Sequence, residues 1–281
     1  MRINIGIFVV PDAGDGAGTV EQILAAERSG LDIVGIQDHP YQARFLDTWT
    51  LLAYAAGRTE RIRLVPDVVN LPLRLPSVLA KSAASLDLLS GGRVELGIGA
   101  GAFWDGIEAM GGPRRTAKES VDALEEAMSI IRAFFSPERS VRVEGQHYSV
   151  VGAHPGPRPA HQIGIWLGAY GPRMLRITGS KADGWLPSLG GRYLGRDEAL
   201  KGHRAIDEAA KASGRDPGAI ERAVNIVGLG AEAASPAEQL ARIATDLRFS
   251  TLIVSVPEDD PIGFVRHLGE DVAPRVRALV G

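Results

Sequence analysis

The stretch "RIRLVPDVVNLPLRLPSVLAKSAASLDLLSGGRVELGIGAG", Arg61–Gly101, decides the fold. Its apolar run Ile62–Val69 reads as a buried strand. Ser77–Leu89 reads as a helix ended by Gly91-Gly92, and Val94–Ile98 as a second strand. Strand, helix and strand in one short span make a βαβ unit, whose strands are parallel and whose crossover is right-handed.

The alternation extends in both directions. Upstream lie a strand at Arg2–Val10 and a helix at Thr19–Ser29, opened by a capping box of Thr19 with Gln22. A strand at Asp32–Gln37 and an apolar helix at Phe45–Ala56 follow. Downstream, Thr116–Phe135 is a long helix whose Val121, Leu124, Met128, Ile131 and Phe135 share one face. Strands are expected at Ile163–Leu167, Gly184–Leu186, Ala223–Leu229 and Thr251–Val256. Helices are expected from Pro172, and at Arg196–Ser213, Ala237–Leu247 and Pro261–Val280. Eight strand–helix units in 281 residues fit an α/β fold of the TIM-type (β/α)8 barrel kind, typically ~250 residues long. A doubly wound open sheet is the competing architecture. The proline-rich stretch Val141–His161 is expected to be a small insertion, with a short hairpin, between the fourth helix and the fifth strand. No linker or repeat divides residues 1–281, so one domain is expected.

Composition narrows the function. Net charge is −3, with no basic surplus to bind nucleic acid or an anionic membrane. Cysteine is absent, which removes disulfides, thiolate metal sites and a cysteine nucleophile. No apolar run nears the ~18 residues that span a bilayer. The N-terminal segment reads as a strand and not as a signal peptide. A soluble, cytoplasmic protein is expected.

In barrels of this kind the chemistry lies at the C-terminal ends of the strands. The second strand ends in Asp38-His39-Pro40. His39 can exchange a proton near neutrality, and Asp38 could fix its tautomer or raise its basicity. The fifth ends in "GAYGPRML", Gly168–Leu175. Its glycines allow close approach, Pro172 suits a first helical turn, the helix N-terminus favours an anion, and Arg173 could add charge. The fourth ends in "GIGAGAF", Gly97–Phe103, whose small residues leave room for a flat ligand. The six histidines show no metal-ligand spacing, with His203 and His267 on helix surfaces. The five lysines avoid strand ends, which argues against Schiff-base chemistry.

Together "VGIQDHP", the Arg61–Gly101 stretch and "IWLGAYGPRMLRITGSKADGWLPS" resemble the luciferase-like oxidoreductases, flavin- or deazaflavin-dependent barrels that include monooxygenases. The resemblance implies a tricyclic ring held at the top of the barrel. It implies a non-proline cis peptide behind the ring, by position between Asp67 and Val68, with Asn70 following. The cofactor phosphate would sit on the turn Gly168, Ala169, Tyr170, Gly171, Pro172 and Arg173, and Gly99 and Gly101 would pass its polar tail. The Asp38-His39 pair is similar to the branch using coenzyme F420. The expected activity is hydride transfer between F420 and a small-molecule substrate, with His39 moving the proton. The alternative is an FMN-dependent monooxygenase fed by a separate reductase. Asp12 stands where sugar-phosphate dehydrogenases of the F420 branch carry Glu, which disfavours that substrate. Ala102–Arg115 and Pro187–Arg196 would line the entry, with Phe103, Trp104 and Trp185 as its apolar wall. A homodimer through the helices Phe45–Ala56 and Ser77–Leu89 is also expected.

Overall fold

In this computed structural model residues 3–230 and 234–281 are described; Arg2, where the first strand was expected to begin, lies outside them. The first barrel strand is Asn4–Val9 and the second Ile33–Ile36. The third runs Arg63–Pro66 and resumes at Val69–Asn70. The fourth to eighth are Leu96–Gly99, Ile165–Leu167, Gly184–Trp185, Glu221–Ile226 and Thr251–Ser255, with Ser188–Leu189 extending the sixth. Neighbouring strands are parallel, and the first pairs with the eighth, Asn4 opposite Thr251. Closure falls between the third and fourth. Leu64 N–H donates to Arg93 O at 2.8 Å, Glu95 N–H donates to Leu64 O at 3.0 Å, and Val69 pairs with Ile98. An open sheet would leave that edge unpaired, so the fold is the closed barrel.

The strands read as continuous apolar runs because a barrel strand is buried on both faces. Ile33, Val65, Trp166, Leu186, Ala223 and Ile253 fill the interior. Residues of opposite parity, such as Ile5, Ile7, Val34 and Leu64, pack against the helices. Between the long helix Ala117–Phe135 and the fifth strand, Val141–Val143 and Val150–Ala153 form an antiparallel ribbon.

Helix starts follow the capping chemistry, with one correction. Thr116 and Glu119 form a reciprocal capping box, as do Ser235 and Glu238. The first helix, Gly16–Arg28, instead starts three residues before Thr19. Asp15 caps it by accepting from Gly18 N–H, while the buried Thr19 donates its hydroxyl to Asp12 O. A carboxylate at Asp15 satisfies the free N–H groups one turn earlier, so Thr19 with Gln22 forms no box. The helix Pro76–Ser90 has proline in its first turn and ends on Gly91, left-handed at φ 73°. An unforeseen short helix, Trp104–Ala109, lies in the loop after the fourth strand. The C-terminal helix is broken by a π turn at Leu268–Val272.

Two residues expected near the surface are core. Trp185 and His203 are both 0% exposed. The His203 ring lies 4.9 Å from Trp185 and 4.8 Å from Phe249. The helix Arg196–Ala212 presses its Gly202 onto Trp185, where a Cβ would come within 2.5 Å of the indole. Trp185 therefore faces that helix and not the mouth. Burial, then the Arg222 and Arg248 charges, hold the His203 imidazole down at about 3. The unfolded chain takes up a proton as pH falls through about 6.5, whereas folded His203 does so only near about 3. Stability should fall across that interval. Urea midpoints measured across it should decline less steeply in His203→Leu than in the wild type; equal slopes would contradict the assignment.

Candidate functional site

The ends of the second and third strands are tied by one carboxylate. Asp38 is 1% exposed. Its Oδ2 accepts from Asn70 N–H at 3.0 Å and from Arg74 Nε at 2.9 Å, and its Oδ1 accepts from Arg74 Nη2 at 2.7 Å. Burial opposes the Arg74 charge, but Asp38 and Asp47 outweigh it and hold the guanidinium above its ordinary value. Asp38 therefore does not hold His39 by a hydrogen bond. That position belongs to Gln37, whose amide meets His39 Nδ1 at 3.0 Å. The atom toward Nδ1 is the amide Nε2, a donor, so Nδ1 accepts and the ring proton sits on Nε2; with the amide turned over its oxygen takes Nδ1–H and Nε2 becomes the acceptor.

His39 is half-buried at the rim. Its ring stacks on Tyr41 at 5.3 Å and meets the edge of the exposed Phe103 at 5.6 Å. Burial lowers its affinity for a proton, and the nearby Asp38 charge acts the other way. The imidazole is thus neutral at pH 7, with Nδ1 engaged and Nε2 remaining. Tyr41 is pushed up to about 12, by burial first and the Asp38 charge second. Its ring packs on Gly106, where a Cβ would lie 2.8 Å away. The helix Trp104–Ala109 is thereby seated beside His39, and Trp104 bears on Gly101.

The Asp67–Val68 peptide is cis and interrupts the third strand. The Val68 side chain enters the barrel mouth, where three glycines receive it. A Cβ on Gly97, Gly99 or Gly168 would come within 3.2, 2.9 or 3.3 Å of Val68. Gly97 and Gly99 therefore make room first for Val68, not for a ligand directly. Asp67 turns into the barrel over Gly35 and accepts from Asn225 Nδ2, on the seventh strand, at 2.9 Å. Asn70 is buried, and its Oδ1 has no partner.

The turn Gly168–Gly171 leads into the helix Pro172–Lys181. Gly171 precedes that helix at φ −77° and ψ 155°, no side chain caps it, and no acid stands in its first turn. A Cβ built on Gly171 would meet nothing within 4 Å. Ala169 is buried, its carbonyl accepting from Trp185 Nε1, and the half-exposed Tyr170 accepts from Ser188 N–H. Arg173 turns away from the mouth. Its guanidinium meets Asp122 and Glu125 at 2.6 Å each, so the expected extra charge is already neutralised.

A cleft of about 780 Å³ lies at the ends of the first and eighth strands. Phe8, Val10, Phe45 and Val256 give it an apolar wall; Asp12, Asp15, Arg44 and Glu258 are its charged residues. Neither expected entry loop contributes to its lining. Among the described residues no three acidic or histidine side chains converge as a metal site, and no helix is long and apolar enough to cross a membrane.

Sequence reasoning located Asp38, His39 and the turn after the fifth strand, but missed Gln37, Tyr41, Arg74 and Asn225. Only Gln37 carried a local signal, as the polar residue ending an apolar strand next to Asp38-His39.

Known proteins share this fold. An F420-dependent glucose-6-phosphate dehydrogenase of Intrasporangium calvum is 30% identical, over 92% of this chain and 95% of its own. Another, from Kineococcus radiotolerans, is 34% identical over 72% of this chain and 61% of its own. An F420-dependent secondary alcohol dehydrogenase with an F420-acetone adduct superposes at TM-score 0.83 with 18% identity, covering 99% and 100% of the two chains. The FMN-bound oxygenating constituent of 3,6-diketocamphane monooxygenase from Pseudomonas putida superposes at 0.77 with 20% identity, covering 98% and 99%. A family model described as luciferase-like monooxygenase matches residues 3–262. The closed barrel, the Asp38-His39 strand end and this match together mean that the chain belongs to the luciferase-like monooxygenase family of oxidoreductases.

Proposed function

We propose that this enzyme passes a hydride between coenzyme F420 and a small organic substrate, with His39 carrying the accompanying proton. The observation that carries the reading is the His39 ring: half-buried at a strand end, held at Nδ1 by Gln37, neutral at pH 7, and open at Nε2. The F420-dependent relatives support the choice of cofactor over FMN. Reading residues 1–281 as one barrel domain, at work in the cytoplasm, accords with that choice.

The site's own atoms suit a flat, anionic-tailed cofactor. The unpartnered Asn70 Oδ1 and the Asp67–Val68 bulge would face the ring, while Gly99 and Gly101 border its path. The free N–H groups after Gly171 would take the phosphate; backbone and not Arg173 does the binding. When bound, the deazaflavin supplies a hydride acceptor. In oxidation of an alcohol, the O–H proton would pass to His39 Nε2, with the Gln37 amide turned so that its oxygen accepts from Nδ1–H, as the C–H electron pair leaves with its hydrogen, so the imidazole must start neutral. Asp38 acts at a distance, favouring the imidazolium that forms.

The glucose-6-phosphate of the relatives is not carried over. In the cleft Arg44 is paired with Asp12 at 3.1 Å, and Asp15 fills the nearby helix N-terminus. Glu258 adds a further negative charge. A phosphate would meet net repulsion, so the substrate is a small organic molecule without one. A homodimer is also proposed: Tyr54, Leu75, Val78, Leu88 and Leu89 are 45–85% exposed on and beside the helices Thr48–Ala56 and Pro76–Ser90.

His39→Ala should lower kcat by ~10²–10⁴-fold with little change in F420 affinity. The wild-type rate of alcohol oxidation should fall on the acid side, with its midpoint below 6.5 because burial depresses the imidazole. A midpoint at or above 6.5 would refute the assignment. In parallel anaerobic titrations F420 should bind more tightly than FMN. Gly171→Asp should weaken F420 at least about tenfold without loss of stability, since Asp is itself a good N-cap. Unchanged affinity would mean the anion sits elsewhere. Leu89→Asp should shift the light-scattering mass from dimer to monomer; a wild-type monomer would exclude that interface.

A further inference from the structure

Asp67 and Asn225 reach each other across the barrel, and the mechanism above uses neither side chain. They are 5% and 7% exposed. Asn225 Nδ2 donates to Asp67 Oδ1 at 2.9 Å. The remaining oxygen of each, Asp67 Oδ2 and Asn225 Oδ1, is buried without a partner. Both are acceptors if Asp67 is ionised, so the pair would then bury a charge and two unmet lone-pair groups. One proton on Oδ2 converts an unmet buried acceptor into a donor and removes the buried charge.

We infer that Asp67 is held inside the barrel mouth as a neutral carboxylic acid, accepting from Asn225 Nδ2 at Oδ1 and carrying its proton on Oδ2. The surroundings favour that state. On the second strand, Gly35 faces Oδ2 with only a hydrogen, and Asp38 beyond it is committed to Arg74. On the seventh strand Glu221 is engaged by Ser250 and Thr251. On the third, Arg63 lies near Glu95 at 3.5 Å. After the fifth strand the Tyr170 phenol senses the Asp67 charge and is itself pushed up, chiefly by burial. Burial drives the Asp67 carboxyl up to about 7, opposed by the Asn225 hydrogen bond. Asp67 directly precedes the cis peptide. It is therefore a positioning residue: it presents an uncharged, hydrogen-bonded surface to the pocket in the lower pH range and an anionic one above it. The protonation stands whether or not the F420 reading does.

Infrared difference spectroscopy of the whole protein tests this directly. About a unit below the midpoint near 7 the wild type should show a protonated-carboxyl band that disappears about a unit above it. Asp67→Asn should abolish that band while leaving any band from Glu95, the other carboxyl raised by burial. Asn225→Leu should keep the band, with its midpoint moved upward because the opposing hydrogen bond is gone. Stability provides a second readout. The folded acid binds its proton more tightly than the unfolded chain, so wild-type stability should decline as pH rises from about 4 to about 7. Asp67→Asn should remove that part of the decline. A wild type with no band lost on Asp67→Asn, or with an ordinary carboxylate midpoint for Asp67, would overturn the inference.

Discussion

The site depends on the two-pronged contact between Asp38 and Arg74. Asp38 takes three donors at once, and with them it joins the end of the second strand to the chain that emerges from the Asp67–Val68 bulge. Both partners are largely withdrawn from water, and removing Arg74 would leave the Asp38 charge buried and uncompensated, typically worth ~3–5 kcal/mol. The fixed carboxylate also determines what His39 can be. Because Asp38 gives its lone pairs to Arg74 and Asn70, it influences the imidazole only through its field. A direct Asp–His hydrogen bond would hold the ring in one tautomer; the Gln37 amide leaves both open. Of the two residues adjacent in sequence, the fold commits the acid to Arg74 and Asn70 and leaves the imidazole to Gln37.

The same separation of tasks recurs on the other side of the mouth. Arg173 looks like an anion ligand in sequence but anchors its helix to the long helix behind it through Asp122 and Glu125. Positive potential at Gly171 therefore comes from oriented peptide N–H groups, which are fixed by the helix and need no side chain to be ordered.

The barrel itself was legible in the chain, because parallel strands buried on both faces leave unbroken apolar runs between helix-capping signals. The strand ends then located Asp38, His39 and Gly168–Arg173 without further help. What local pattern does not hold is the identity of distant partners. Arg74 follows Asp38 by 36 residues, brought together by pairing of the second and third strands, and Asn225 follows Asp67 by 158, brought together across the closed ring. Trp185 stood next to a strand end and was expected at the mouth, yet Gly202 admits its indole on the helix side. His203 was expected on a helix surface, although its own position faces inward. Thr19 lost its expected cap to Asp15 because a better acceptor stood one turn earlier.

The three glycines around Val68 make the mouth unequal. On the fourth strand and just after the fifth, a side chain added at Gly97, Gly99 or Gly168 would press on the Val68 wedge, and at Gly97 would collide with Pro66 O. That arc tolerates almost no drift. Across the mouth, the first and eighth strands open into a roomy cleft bounded by loop residues. Selection can rebuild that wall without disturbing the opposite one. A scaffold divided in this way can exchange reactants over evolutionary time while its redox apparatus stays put.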